Sequence, residues 1–431
     1  MNDYLSKYQL YPLQIHEKPN PDLNLCVVIP CFDEPDVISS LNSLKMCDLP
    51  LRSVEVIVVV NSGENTDFFI VQKNRKTFID IQNWIAVNSS EKLKFHAFNV
   101  VNLPHKFAGV GFARKIGMDE AYSRLVSVEN ENGIILGFDA DSTCKPNYLC
   151  EVEKHFDQNL KSTGASIYFE HPLQGSDFEA EIYENIVRYE LYLRYYKQAL
   201  QFADFPFAFH TIGSSFAVRA NIYAKQGGMN RRKAGEDFYF LQKIIPLGNY
   251  HEINTTTVFP SPRPSDRVPF GTGAAIQKML QNNSSIYLTY SIQAFLDLKT
   301  FFREKNIFYK TKKEDAINYL NNNKISEIIV GFLLENSFFD ELIKINENSP
   351  NLKVFNTRFF QWFNAFRVLK FLNFSHENYY QKDDIEIQAS NFLQIAHHRL
   401  TCNFEAKGLL EQFRVLDCFK NEAIELETQI F

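Results

Sequence analysis

From residue 25 onward, short β-rich runs and amphipathic stretches take turns along the chain. Leu25–Pro30 is a continuous apolar run stopped by proline, and Asp36–Met46 then places Val37, Ile38, Leu41 and Leu44 at helical spacing. Val54–Val60 reads as a second strand ended by the turn signal Asn61-Ser62-Gly63; Lys94–Val101 reads as a third, Ala113–Leu125 as a helix and Gly133–Phe138 as a fourth strand. Runs that are apolar at every position suit strands covered on both faces. Strands and helices in alternation build a mostly parallel sheet with helices on both faces, so α/β is the expected class.

The alternation loosens after Asp141. A strand is expected near Ala165–Glu170, a long helix around Phe178–Phe202, strands at Ala208–Arg219 and Tyr250–Pro260, and a helix from Glu236. A Pro- and Gly-rich stretch follows between Phe259 and Gly273, of a length that marks a binding loop or lid more often than a linker. Beyond about residue 280 only helical periodicity remains, as in Ile325, Ile328, Ile329, Phe332 and Leu333. At 431 residues the chain is longer than one core serves. The expected organisation is an extension over 1–24, an α/β domain over 25–280 and a helical region over 281–431.

Charge and hydropathy exclude several classes. With 45 Lys+Arg against 51 Asp+Glu the chain announces no basic face, which argues against nucleic acid. The longest apolar runs, Ile134–Phe138 and Ile328–Leu334, fall short of the about 20 residues that a membrane helix needs. The first residues lack a basic segment followed by an apolar one, so a cytoplasmic location is expected, with peripheral contact at the inner membrane face left open. Seven cysteines without a C-x-x-C pair read as reduced thiols. The aromatic content is high, with 40 Phe, 20 Tyr and 2 Trp. It gathers in Tyr183–Tyr196 and in the helical tail (Phe338, Phe339, Phe355, Phe359, Phe360, Trp362, Phe363, Phe366), either as helix–helix core or as an apolar face for a partner or lipid-linked acceptor.

The most informative motif is Asp139-Ala140-Asp141, directly after the fourth strand. Ligands of open α/β sheets bind at the carboxyl ends of strands, and paired carboxylates there suit Mg²⁺ or Mn²⁺, although such a pair also describes a solvated turn. In Lys106–Lys115, glycines open a helix beside Arg114, a pattern that favours an anion or is a plain helix cap. Glu236-Asp237 opens another helix, where acids also favour the dipole. Arg263 and Arg267, in the Pro-rich loop with Ser265 and Asp266, suit a diphosphate or an anionic acceptor.

In this order, Val27-Val28-Ile29-Pro30-Cys31-Phe32-Asp33-Glu34, Asp139-Ala140-Asp141 and Gly235-Glu236-Asp237 resemble the family 2 glycosyltransferases of the GT-A fold over roughly residues 25 to 275. The resemblance implies a metal-dependent, hexosyltransferase-like enzyme that moves a sugar from a nucleoside-diphosphate sugar to a hydroxyl acceptor. That acceptor would be a glycan, a lipid-linked glycan or a small molecule. Pro30, Asp33 and Glu34 would line the nucleoside pocket, with Asn61 the second-strand contact to the base and Gly109 and Arg114 beside the nucleotide. Asp33 stands where Asn is frequent in the family and Asn61 where Asp is frequent, which leaves the base open. Asp139 and Asp141 would bind metal and donor, with His251 or His210 as a further metal ligand. Asp237 would be the general base of an inverting displacement, with Glu236 orienting acceptor or base, while Arg263 and Arg267 close over the donor. His210–Phe216, which contains Gly213, would lie under the donor sugar and acceptor. Two other readings are a nucleotidyltransferase on a related fold, which would want a glycine-rich basic segment after the first strand, and a non-catalytic sugar-nucleotide-binding protein.

Overall fold

The apolar runs assemble into one eight-stranded sheet in the order β3-β2-β1-β4-β7-β6-β8-β5. The computed structural model describes residues 3–282, 286–322, 325–397 and 405–418; Cys402 lies outside them. In chain order the first part contains α1 (Asp3–Tyr8), β1 (Leu23–Cys31), α2 (Val37–Lys45), β2 (Ser53–Gly63), α3 (Phe68–Asn88), β3 (Leu93–Leu103), α4 (Val110–Ser127), β4 (Ile134–Gly137) and β5 (Thr143–Cys144). It continues with α5 (Tyr148–Gln158), β6 (Gly164–Phe169), α6 (Ala180–Phe202), β7 (Phe216–Arg219), α7 (Ala220–Lys225), α8 (Glu236–Ile244), β8 (Tyr250–Phe259) and α9 (Thr272–Gln281).

β1, β2, β3 and β4 run parallel, as do β6 and β8, while β7 is inserted antiparallel between β4 and β6. Every residue of β1 is buried, as its apolar run from Leu25 to Cys31 requires. Pro30 does not stop the strand, which runs on to Cys31. The reason is geometric: Val28 O accepts from Phe138 N on the β4 side, and Pro30, two residues on, faces that side where β4 pairing has already ended. Its missing N–H therefore costs the ladder no bond. The expected strand over Ala208–Arg219 is shorter, beginning only at Phe216, because the chain turns before it.

The residues divide into two compact units. The described residues of Met1–Tyr183 and Thr211–Lys278 form one, and those of Glu184–His210 and Met279–Phe431 the other. The first therefore includes the N-terminal extension, and residues 184–210, expected within the α/β domain, cluster with the helical region. Buried charge explains this. Arg194 and Lys197 of α6 reach Asp417 at 2.6 and 2.8 Å, and Glu190 accepts from Arg414 at 2.8 Å. Asp417 and Arg414 thus add buried charged partners to α6, beside the pair that Arg194 and Glu190 form within the helix at 2.8 Å.

The second unit adds β9 (Leu288–Thr289), α10 (Ile292–Glu304), α11 (Lys313–Asn322), α12 (Glu327–Glu335), α13 (Phe338–Glu347), α14 (Leu352–Trp362), α15 (Ala365–Asn378), β10 (Asp383–Asp384), α16 (Ile385–His397) and α17 (Ala406–Cys418). Its phenylalanines make the core. Phe301 sits 5.7 Å, ring to ring, from both Phe359 and Phe363, and Phe338, Phe339, Phe355 and Phe360 are buried with them. These side chains therefore do not supply an exposed apolar face, since each already packs against the others. Among the described residues no helix is long and apolar enough to cross a membrane. Phe301→Ala should cost about 3–5 kcal/mol in denaturant unfolding. Leu334→Ala, at a site 57% exposed in the same unit, should stay within about 0.5 kcal/mol.

Candidate active site

The carboxyl ends of β1, β2 and β4 and the start of α8 bring the sequence-distant motifs to one edge of the sheet. Their junction is Arg114, on the first turns of α4 and only 1% exposed. Its Nη2 lies 2.5 Å from Asp139 Oδ1, and its Nη1 pairs with Glu236 Oε1. Burial works against the charge, but Glu236, Asp139 and Asp237 together hold the guanidinium above its usual range. Arg114 is thus an internal tie between the Asp139-Ala140-Asp141 turn and α8.

The glycines serve that tie. A Cβ on Gly109 would lie 2.9 Å from Lys233 Cα, a Cβ on Gly111 would collide with Arg232 and Glu236, and a Cβ on Gly213 would lie 2.8 Å from Arg114 Nη2. Gly109 and Gly111 thus admit the segment before α8, and Gly213 backs the arginine.

α8 begins after Gly235, whose positive φ of 67° turns the chain into the helix. Glu236 is buried and pushed up to about 7, by burial first, with Arg114 opposing. Asp237 is also raised, again by burial against Arg114, and accepts from Phe238 N at 2.7 Å. Burial thus outweighs the helix dipole, which alone would favour the ionised acids.

Asp141 is pushed up to about 7 by burial, then by Asp139 and Glu34, with Arg263 and Arg267 opposing. The middle of the turn is held from α2, where Ser40 Oγ donates to Ala140 O at 2.8 Å. Among the described residues no three His, Cys, Asp or Glu side chains gather as a metal cage. The donor set nevertheless fits a hard cation that keeps part of its water. Asp139 and Asp141 offer oxygens at side chains 37% and 27% exposed, and the repulsion on Asp141 is what a divalent ion relieves.

The further ligand expected at His251 is not brought there. His251 pairs with Ala165 at the start of β8, its Nδ1 3.2 Å from His155 Nε2. Phe259, which pairs with Thr143 beside the acidic turn, lies eight residues of strand away, about 26 Å. His210 lies in the second unit, with Nε2 3.1 Å from Asp417 Oδ2.

Arg263 grips Glu34 through two bonds of 2.7 and 2.5 Å, and Arg267 Nη1 reaches Phe32 O at 2.7 Å and Glu34 at 3.3 Å. This loop, Asp33, Glu34 and the α3 residues Lys73, Lys76 and Thr77 line a cleft of ≈ 520 Å³. Asp33 has a left-handed φ of 48°, and its N donates to Asn74 Oδ1 at 2.8 Å. Asn74 Nδ2 in turn donates to Asn61 O at 3.0 Å, so this buried α3 residue ties the ends of β1 and β2 together. Sequence reasoning missed Asn74, because one polar residue in a helix belongs to no motif. Asn61 is buried and its Oδ1 has no hydrogen-bond partner, an acceptor left over at the end of β2.

Residues 26–227 match the family model described as glycosyl transferase family 2. This stretch is a family 2 glycosyltransferase domain. With its sheet, the first unit is a GT-A fold; the second unit joins residues 184–210 of the matched stretch to the helical C-terminal region. Glu236, Asp237, Arg263 and Arg267 lie beyond the matched residues. No curated protein matches the chain. Among solved structures, TarS 1–349 of S. aureus in complex with UDP-GlcNAc is 14% identical, with a TM-score of 0.38 over 69% of this chain and 79% of that one. The same protein in complex with UDP is 15% identical, with a TM-score of 0.34 over 69% and 78%.

The raised carboxylates fix the sign of a pH effect in the glycosyltransferase domain. Asp141 rises from 3.8 to about 7, so without ligand the folded protein holds this proton where the unfolded chain has lost it. Its contribution to stability is lost as pH rises from about 4 to about 7. The stability difference between wild type and Asp141→Asn, followed by thermal unfolding across that window, should shift steadily in favour of the variant.

Proposed function

We propose that this chain transfers a sugar from a nucleoside-diphosphate sugar to a hydroxyl acceptor, with inversion at the anomeric carbon. The observation that supports it most is the buried Arg114 pairing with both Asp139 and Glu236, which joins a donor-type acidic turn to a carboxylate helix in one edge of the sheet. The nucleoside would occupy the cleft beside Asp33 and Glu34, with the unpartnered Asn61 Oδ1 accepting from the base. Asp139 and Asp141 would hold Mg²⁺ or Mn²⁺, whose chemistry there is Lewis-acid neutralisation of the departing diphosphate.

Asp237 is the group proposed to take the acceptor proton. Its burial raises its proton affinity towards that of a useful base, with Arg114 opposing the rise. As the acceptor oxygen forms its bond to the anomeric carbon, the bond to the diphosphate breaks and the proton passes to an Asp237 Oδ. Glu236, held by Arg114, fixes the start of α8 and so the direction of Asp237. Arg263 and Arg267 exchange Glu34 for the donor diphosphate, which carries their loop over the site and excludes the water that would hydrolyse the donor.

A donor panel with Mn²⁺ or Mg²⁺, read as release of nucleoside diphosphate, tests this. Asp237→Asn should lower kcat by about 10²–10⁴-fold with little change in donor KM. Asp141→Ala should weaken donor binding as well as turnover. Full turnover in both variants would contradict the proposal.

A further inference from the structure

A thiol cluster lies beside the acidic turn. Cys47, just past the end of α2, is 6% exposed, and its Sγ is 3.6 Å from Sγ of Cys144 in β5. Ser43 Oγ stands 3.8 Å from Cys144 Sγ, and Cys47 Sγ donates to Ser43 O at 3.4 Å. Both cysteines are free, and two sulfurs 97 residues apart in sequence touch in space. Forming a disulfide asks them to close to about 2.05 Å.

The two thiols are unequal. The Cys144 S–H hydrogen bond first, and then the Leu149 N–H at the start of α5, lower the Cys47 pKa against its burial and Asp48. That of Cys144 is raised, first by the same hydrogen bond. Cys47 is thus the thiol that ionises and attacks, with Cys144 the resolving partner.

The position gives such a bond a consequence. Cys144 lies three residues after Asp141, and α2 already holds Ala140 through Ser40. On its other side β5 pairs Cys144 with Val258 and Thr143 with Phe259, the last residues of β8 before the loop of Arg263 and Arg267. A bond between Cys47 and Cys144 fixes the segment that connects the acidic turn to that loop.

We propose that Cys47 and Cys144 form a peroxide-sensitive thiol pair whose disulfide restrains the Asp139–Asp141 turn and lowers donor turnover. The effect on turnover rests on the glycosyltransferase reading; the disulfide does not. The Cys47 thiolate attacks one oxygen of hydrogen peroxide, the O–O bond breaks, and the leaving hydroxide takes up a proton as water. The Cys144 sulfur then attacks the Cys47 sulfenic acid, the S–S bond forms and the S–O bond breaks. Cys144 gives up its proton to this second departing water. Two thiols lose two electrons and one peroxide becomes two waters. Dithiothreitol reverses the change and becomes its own cyclic disulfide.

The full chain is treated with hydrogen peroxide, digested without reductant and mapped by mass spectrometry, with nucleoside diphosphate release measured in parallel. The expected result is a Cys47–Cys144 crosslink and turnover reduced by roughly 5-fold or more, as for an ordinary coupling between sites. Dithiothreitol should restore it. Cys47→Ala and Cys144→Ala should each keep basal turnover and lose the response, whereas Cys150→Ala should retain it. A crosslink through other cysteines, or none, overturns the thiol pair; a Cys47–Cys144 crosslink with unchanged turnover overturns its regulatory effect. Absent turnover in the reduced protein with every donor overturns the glycosyltransferase reading and leaves the crosslink result standing.

Discussion

The candidate site is organised around one buried cation. Arg114 gives up nearly all its hydration, a cost of several kcal/mol that only well-placed carboxylates offset. Asp139, from the end of β4, and Glu236, from the start of α8, supply them. The sheet fixes the first and the turn at Gly235 the second, so the arginine converts two separate local structures into one. Gly111 and Gly213 leave the room it needs, and any side chain there would displace either α8 or the guanidinium.

Around this tie the charges are deliberately unequal in their freedom. Arg114 is committed to Asp139 and Glu236. Arg263 and Arg267 sit on a loop, the first held by Glu34 and the second by Phe32 O with Glu34 farther off, at side chains 22% and 28% exposed. Asp141 has Arg263 no nearer than 3.8 Å, and burial with the neighbouring Asp139 and Glu34 raises its proton affinity against both loop arginines. A site with one locked cation, two on a loop and an undercompensated carboxylate is suited to receive a cation and a polyanion together. The anion can take the loop arginines, while a metal ion takes the aspartates.

How much of this could be read beforehand follows from the range of each signal. β1, β2 and β4 were legible because burial on both faces leaves long, mostly apolar runs, interrupted in β2 by the buried Glu55. Asp139, Asp141, Glu236 and Asp237 were legible as residues because each sits at a strand or helix end. Arg114 was placed on its helix, but its carboxylate partners lie 25 and 122 residues away, beyond the reach of any local pattern. His251 failed for a related reason: sequence shows that it belongs to a strand, not which end of that strand meets Asp141. Residues 184–202 read as helix in either unit, and the buried ion pairs with Asp417 and Arg414 show where they cluster.

The central claim is that the acidic turn and the cleft form one donor site. Anomalous diffraction from crystals grown with Mn²⁺ and a nucleoside diphosphate tests it most directly. The account expects a manganese peak coordinated by Asp141, with Asp139 beside it, and the diphosphate reaching Arg263 and Arg267 released from Glu34. Manganese bound away from both aspartates, or a diphosphate seated while both arginines still grip Glu34, would contradict it.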